Sequence, residues 1–485
     1  MKNFKMMLNS TSISANAVPR LNLLTEEQLN DVHNWSVNIL STTGVRIDSG
    51  LARNIFKKAG CKQLKNNRFL IPDNLISWAI KSAPSGITVY NRHGDLAFRL
   101  GTKNPDKTFF GVGVTNTHFQ NIEKDDVIPY KREHNRTSIS LGNTLKDFDM
   151  ISTPGIPADL PPETLDLYNT LDLYTNTIKP IVILILKERR INDVFDLLEH
   201  LHGNLSEKPF LILYVNPITP LVLNENTVDK MVTGIRRGIP VIYSNYGMYG
   251  ATTPITPAGT LTLLNAELLA GLVLSQLIRE GAPVILGSLP AAFDMKTMGS
   301  AYTHSSYLLN LACAEMMAFY NIPHCGTSGS GLGWGPDLSA SGSLWINHLT
   351  SCLGKVGMVP FVGGNFDSRV FSPVTVVYSD LIIKQVRAFS KGFRLDEFSV
   401  ALDEIMKVGA GGDFLTSEFT LKLYKELHNE RSIWSGMTLE NWIRKGNPNA
   451  NEILREFARD LIENLEDTED YNDLIEKGET FIHRF

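Results

Sequence analysis

One glycine-rich loop combines residue types that could take part in several kinds of chemistry. It reads HCGTSGSGLGWGPDLSAS, from His324 to Ser341, and it contains five glycines. The backbone N–H groups of such a loop could cradle the phosphate of FMN together with VGGN at 362–365, as barrel loops late in the chain often do. The glycines could equally serve only to turn the backbone tightly. Both interpretations stay open on these residues alone.

Metal binding is a weaker interpretation of the same loop. His324 and Cys325 are neighbours, and neighbouring strand residues point to opposite faces of a sheet. Cys313 and Cys352 lie in apolar helical stretches, where a free cysteine is usually a small core residue. No set of His, Cys and Asp occurs at metal-ligand spacing. We therefore predict that the polypeptide itself binds no metal.

The strands and helices that must position this loop follow one repeating sequence pattern from Lys107 onward. A short apolar run is followed by a loop rich in Gly, Pro or Asn and then by a helical stretch. Such runs suit parallel strands that are buried on both faces. Eight of them in a row predict a (β/α)8 TIM barrel, with a doubly wound open sheet as the alternative. The eight strand-like runs are 108–116, 149–157, 179–187, 209–217, 239–247, 282–290, 322–329 and 359–366.

The two ends of the chain do not continue this pattern. Residues 1–106 predict helices and then a hairpin, whereas residues 391–485 are helical and charged. We interpret them as N-terminal and C-terminal helical additions to a barrel at 107–390, and we expect them to contribute to a homo-oligomer. The net charge of −5 gives no reason to expect nucleic acid. With no signal peptide at the start and an apolar run of only IVILIL, we expect a cytoplasmic protein without a membrane partner.

The predicted loops after the strands are rich in Tyr, Phe, Asn, Thr and Met. Barrel active sites form from these loops. They contain neither two carboxylates nor a Ser/His/Asp set of the kind that hydrolysis requires. The loops therefore give no indication of hydrolytic chemistry.

Several motifs resemble those of the trimethylamine methyltransferase (MttB) superfamily. The block GATTPITPAGTLTLLNAELLAGLVLSQLIREGAPVILGS at 250–288 resembles its central signature, and YVNPITPL and PGIPADLPP agree with it. The resemblance runs through roughly residues 20 to 400. It implies an eight-stranded barrel that moves a methyl group from a methylated amine to the cobalt of a separate corrinoid protein, with no cofactor bound permanently.

One departure from the family pattern bears on the substrate. Archaeal trimethylamine enzymes carry pyrrolysine in the loop after strand 7, and that position falls on Trp334 or Gly335, before Pro336 and Asp337. This chain has no pyrrolysine. The resemblance to the non-pyrrolysine branch therefore implies a quaternary amine, with glycine betaine methyltransferases as the most similar members.

The residues of the strand-end loops suit such a substrate. A quaternary amine leaves as a neutral tertiary amine, so the enzyme needs no general acid and acts by positioning. Quaternary ammonium groups are held over aromatic faces, and a substrate carboxylate requires a cationic or hydrogen-bond-donating partner. Tyr246 and Trp334 are the leading candidates for substrate contacts. The further aromatic candidates are Tyr243, Tyr249, Phe293 and Phe366, and the carboxylate-binding candidates are His348, Arg369, His304 and Asn216.

The sequence thus predicts a methyltransferase that converts glycine betaine to dimethylglycine and methylates the Co(I) of a cognate corrinoid protein. The alternatives are an FMN-dependent barrel oxidoreductase and a non-catalytic betaine-binding module. A bound flavin would favour the first, and tight betaine binding without methyl transfer would favour the second.

Overall fold

Eight parallel strands form the centre of the computed structural model, which describes residues 16–101, 107–113, 115–327, 333–427, 433–434 and 436–485. Each strand pairs with the next one along the chain in parallel register, and the eighth pairs with the first. The predicted (β/α)8 barrel is therefore confirmed and the open sheet is wrong. The strands are β1 Phe109–Val112, β2 Met150–Ser152, β3 Ile181–Leu184, β4 Leu211–Val215, β5 Val241–Tyr249, β6 Val284–Asp294, β7 His324–Cys325 and β8 Met358–Val362.

A helix follows each strand and covers the outside of the barrel. The helices are α1 Arg132–Thr144, α2 Leu165–Thr175, α3 Ile191–His202, α4 Glu225–Arg236, α5 Pro257–Ile278, α6 His304–Phe319, α7 Leu338–Leu353 and α8 Pro373–Lys391. By length and composition alone, α5 could cross a membrane, but 83% of its most apolar window is buried inside the chain. It is covered by three N-terminal helices, Glu26–Asn38, Gly50–Lys58 and Asp73–Ser82. These contacts account for its apolar composition.

A β-hairpin closes one end of the barrel. Its strands, Gly86–Tyr90 and Leu96–Gly101, place Val89 and Phe98 in the same apolar cluster as the inward-facing side chains of the barrel. Phe98 stacks on Phe109, the first residue of β1, with ring centroids 4.3 Å apart. The hairpin therefore lies at the end where the strands begin. The opposite end, where the strands finish, carries the βα loops.

The C-terminal addition returns to the barrel and is tied to it by charged groups. Helix Ala450–Glu463 packs on α8 and α1, and helix Tyr471–Ile482 packs on α2 and α3. Arg92 lies in the hairpin turn, and its buried guanidinium forms a bidentate ion pair with Asp470, with N···O distances of 2.6 and 2.7 Å. The N-terminal and C-terminal additions thus contact each other. Between α8 and Ala450 lie the short helices Glu397–Val400, Leu402–Val408, Glu418–Leu427 and Leu439–Arg444.

Candidate active site

Side chains of β4 and β5 line the barrel axis near the strand ends. Ile212 and Ile242 belong to the interior cluster, so the two-residue period of a strand places Tyr214, Ser244 and Tyr246 on the same inner face. The ring of Tyr214 meets that of Phe361 edge-on at 4.9 Å. Burial raises the pKa of Tyr214 to about 12, against the contacts with Ser244 and Asn216 that lower it. Tyr214 therefore stays a neutral phenol at physiological pH.

A second group of polar side chains, the Asp367 cluster, consists of Tyr246, Ser300, Tyr302 and Asp367. Ser300 donates a hydrogen bond to a carboxylate oxygen of Asp367. The hydroxyl of Tyr302 interacts with the same carboxylate, and the hydroxyl of Tyr246 interacts with Ser300. Burial raises the pKa of Asp367, opposed by Ser300 and by the charge of Arg369. The cluster thus places a single carboxylate among neutral hydroxyl groups.

Three separate chain segments build this cluster. Tyr246 lies on β5. Ser300 lies on the short strand Gly299–Ala301, which runs antiparallel to the end of β6, and Ser300 itself pairs with Phe293. Asp367 lies on the loop after β8. The cluster therefore lies at the strand-end face, where barrel active sites form.

The backbone that presents Asp367 is unusual. Phe366, Asp367 and Ser368 have φ angles of 50°, 58° and 61°, in the left-handed region. Each non-glycine residue there costs on the order of 1–2 kcal/mol. The run is closed by an antiparallel pair between 364–365 and 370–371. Such a run persists only where the surrounding structure enforces it, and it is typical of functional sites.

The structure brings together some of the sequence-predicted site residues. Tyr246 and Asn216 face the barrel axis, and the amide of Asn216 donates to the Tyr214 hydroxyl at 3.4 Å. Phe366 is 39% exposed beside Asp367 in the chain. Arg369 is exposed, and its charge acts on Asp367. These four residues remain candidates for substrate contacts.

Four other aromatic or cationic candidates point away from the axis or lie beside it. Tyr243 and Tyr249 occupy the outer face of β5. Tyr243 is fully buried against Gly271 of α5, and the Tyr249 hydroxyl bonds to Thr303. Alternate strand residues face the helical layer, so the predicted contact of these two tyrosines with the substrate ammonium gains no support from their positions. Phe293 is partly buried at the paired end of β6, and His304 is exposed at the start of α6.

His348 lies away from the strand ends. It is fully buried on α7 and meets the ring of Phe110 edge-on at 5.2 Å, outside the barrel wall. Burial, with the nearby charge of Arg387, lowers the pKa of His348 to about 3. A neutral imidazole behind β1 does not reach a carboxylate at the strand ends. The prediction that His348 binds the substrate carboxylate therefore gains no support from its position.

Trp334 lies in a different environment from the Asp367 cluster. Its side chain is 76% exposed, its backbone N–H donates to Asp337 at 2.7 Å, and its carbonyl accepts from Gln120 at 2.8 Å. No contact among the described residues joins it to Tyr246 or Asp367. It lines a groove of about 900 Å³ between α7 and the C-terminal addition, which we call the Trp334 groove. The other residues of the groove include Gly335, Leu338, Tyr378, Trp434 and Leu454.

The flavin and metal interpretations gain little from the structure. The GTSGSG half of the proposed phosphate cradle falls largely on 328–332, outside the described residues. In the other half, Gly364 pairs with Phe371 and the Gly363 carbonyl accepts from Ser372. Among the described residues, no group of three or more His, Cys, Asp or Glu side chains could hold a metal ion.

Sequence reasoning missed Tyr214, Ser300, Tyr302 and Asp367. Tyr214 carried a usable signal, since it stands two residues before Asn216 on a predicted strand and must share its face. The other three lie on irregular segments whose pairing has no periodic pattern. Sequence reasoning also missed Glu267 of α5, which accepts from Asn245, Thr219 and the Leu221 N–H behind the β5 wall.

Comparison with known proteins agrees with this architecture. A trimethylamine methyltransferase MttB from Desulfitobacterium hafniense (strain DSM 10664 / DCB-2) is 26% identical over 451 residues, which is 90% of this chain and 89% of the relative. A glycine betaine methyltransferase from Desulfitobacterium hafniense (strain Y51) is 26% identical over 435 residues, 88% of this chain and 90% of the relative.

A solved structure supports the fold. The monomethylamine methyltransferase MtmB of Methanosarcina barkeri superposes with a TM-score of 0.55 at 10% identity, covering 93% of this chain and 89% of that chain. The family model described as trimethylamine methyltransferase (MTTB) matches residues 3–484, almost the whole chain. The protein therefore belongs to the trimethylamine methyltransferase family.

Proposed function

We propose that the protein transfers a methyl group from a quaternary amine, preferentially glycine betaine, to the Co(I) of a corrinoid protein. The observation that carries this proposal is the pairing of aromatic side chains with a single carboxylate at the strand ends, in Tyr246, Tyr302 and Asp367. This chemistry suits a fixed organic cation. The family membership and the glycine betaine methyltransferase among the relatives support the same reaction.

The proposed reaction needs little from the protein besides binding and alignment. The N–CH3 bond breaks, and its electron pair stays on nitrogen, so dimethylglycine leaves without requiring a proton. The corrinoid supplies the nucleophile that accepts the methyl group. The protein would hold the substrate ammonium against Tyr246 and Tyr302, direct one methyl group toward the open end of the barrel, and keep water out. Neutral phenols serve this purpose, and burial raises the pKa of both tyrosines.

Among the described residues of the barrel axis and the Asp367 cluster, few groups suit other reactions. Tyr214 and Asn216 are uncharged, and Asp367 is the one carboxylate of its cluster. Most of the GTSGSG segment lies outside the described residues, so the structure supplies no observation in favour of the flavin alternative. A betaine-binding module would show the same aromatic contacts, so activity must separate it from an enzyme. Localisation in the cytoplasm and assembly into a homo-oligomer stay predictions.

The test is a methyl-transfer assay with the purified full chain, Co(I) cobalamin and a panel of amines. We expect glycine betaine to yield the methylcobalamin spectrum and dimethylglycine, whereas trimethylamine and dimethylglycine should yield none. Choline, which lacks the carboxylate, should react at least about ten-fold more slowly, a difference of ~1.4 kcal/mol. Turnover of trimethylamine at a rate comparable to that of betaine would contradict the proposal. Tight betaine binding without methylcobalamin would favour the binding module.

A further inference from the structure

We propose that Asp367 is the counter-ion of the substrate's fixed positive charge and determines the preference for quaternary ammonium compounds over uncharged analogues. The inference rests on the proposed function and adds to it a residue that sets specificity. It is carried by the contacts that hold this carboxylate at the strand-end face, which are hydroxyl groups and not a protein cation.

Two other partly buried aspartates of the chain, Asp149 and Asp172, are neutralised by protein cations. Asp149 pairs with Arg387 and Lys107, and Asp172 pairs with Arg132 at 2.9 Å. This is the general pattern, because a carboxylate removed from water needs an opposite charge or several hydrogen bonds. Such pairs leave no charge over for a ligand.

Asp367 is held in a different way. Its contacts are the Ser300 and Tyr302 hydroxyls, and Arg369 influences it only as a nearby charge. In the described part of the chain, Asp367 forms no ion pair within 4 Å. Hydroxyl donors fix the position of the carboxylate but do not cancel its charge. A cation of the right size can therefore supply the missing neutralisation.

The tyrosines around Asp367 favour a quaternary ammonium ion over a cation that keeps its water molecules. The titratable and charged groups that act on Asp367 or its hydroxyl donors are Tyr246, Tyr302, Tyr307 and Arg369. A quaternary ammonium has no N–H to donate, so it loses no hydrogen bond on leaving water, and its methyl groups can pack on the tyrosine rings. The left-handed backbone at 366–368 holds the carboxylate in this position. Only the ionised form of Asp367 can act in this way.

Two ligands of the same shape test the inference. Glycine betaine and 3,3-dimethylbutanoate differ only in that carbon replaces the charged nitrogen. We would measure the Kd of each by titration calorimetry with the full chain. The wild-type protein is expected to bind betaine at least about ten-fold more tightly than the carbon analogue. A preference below three-fold would overturn the inference without the use of any variant.

Variants then assign the preference to the residue. Asp367→Asn keeps the shape and removes the charge, so it should weaken betaine binding by about ten-fold or more and leave the analogue within two-fold. Ser300→Ala should weaken betaine binding less. Asp126→Asn, on the exposed loop after β1, makes the same charge change and should alter neither Kd. Equal loss of both ligands in Asp367→Asn would show a merely structural role and would overturn the inference.

The methyl-transfer assay separates the two proposals. Methylcobalamin formation from betaine by a wild-type protein that binds both ligands equally would refute the role of Asp367 and leave the proposed function standing. Absence of both betaine binding and methyl transfer would refute both.

Discussion

The Asp367 cluster and the Trp334 groove lie at the same end of the barrel but are built differently. In the cluster, three chain segments converge on one partly buried carboxylate through side-chain hydrogen bonds. In the groove, the hydrogen bonds that join Trp334 to other described residues come from its backbone, and the residue is 76% exposed. The position indicated by the family resemblance is therefore not the position where this fold concentrates its polar contacts.

The largest effect is expected from Tyr246. Replacement by alanine removes the aromatic face on the barrel axis, and we expect kcat/KM for betaine to fall by about ten- to a hundred-fold, since a desolvated cation–π contact contributes on the order of 2 kcal/mol or more. Tyr246→Phe keeps the ring and should retain most of the activity. Steady-state methyl transfer measures both variants. An unaffected Tyr246→Ala would move the substrate away from the cluster.

A buried carboxyl supports the wall behind the cluster, and the groove has no counterpart to it among its described lining residues. Burial raises the pKa of Glu267 to about 7, against the hydrogen bonds from Leu221, Thr219 and Asn245. Because the folded pKa lies above the unfolded value of 4.5, the stability gained from protonation is complete below pH 4.5 and is lost as the pH rises through about 7. Glu267→Gln should remove this component of the pH dependence.

The same substitution should also lower the free energy of unfolding by ~1–3 kcal/mol, because the new amide turns an N–H group toward an existing donor. Urea denaturation of both proteins at pH 5 and pH 8 provides the measurement. Identical pH dependences in the two proteins would show that Glu267 keeps the same charge at both values.

Gln120 connects the two regions. Its side-chain Nε2 donates a hydrogen bond to the Trp334 carbonyl at 2.8 Å. Its Oε1 accepts a hydrogen bond at 3.4 Å from Asn365, which stands two residues before Asp367 in the chain. Gln120→Ala should lower the free energy of unfolding by about 1 kcal/mol and speed amide hydrogen exchange in residues 333–337. Unchanged exchange there would mean that Asp337 alone fixes the loop.

The smallest effect is expected from Trp334 itself. Because its ring is largely exposed, Trp334→Ala should change the free energy of unfolding by less than about 0.5 kcal/mol. Its Kd for betaine should stay within about two-fold of the wild-type value. Trp345→Ala, at a partly exposed position of α7, is the matched control. A loss of betaine affinity above ten-fold in Trp334→Ala alone would show that Trp334 contacts the substrate.

Regular elements were predictable from the sequence, whereas side-chain directions were only partly so. Apolar runs revealed all eight strands, and Gly86–Gly101 was predicted as a hairpin. Tyr246 and Tyr249 were both predicted to contact the substrate, although the two side chains face opposite sides of β5. The buried position of His348 could not be predicted, because the periodicity of a helix does not tell which neighbour a residue faces. Asp367 was missed because a left-handed run of non-glycine residues leaves no mark in composition.

The hairpin over the start of the strands has a kinetic consequence. Val89 and Phe98 close that end of the barrel. A small substrate and a protein partner that both act at the strand ends must therefore approach through the same opening, at the opposite end. On the proposed function, the amine has to enter before its partner docks, and the demethylated product cannot leave until the partner has moved aside. Excess partner protein should therefore slow turnover at low betaine concentrations, and saturating betaine should relieve the inhibition.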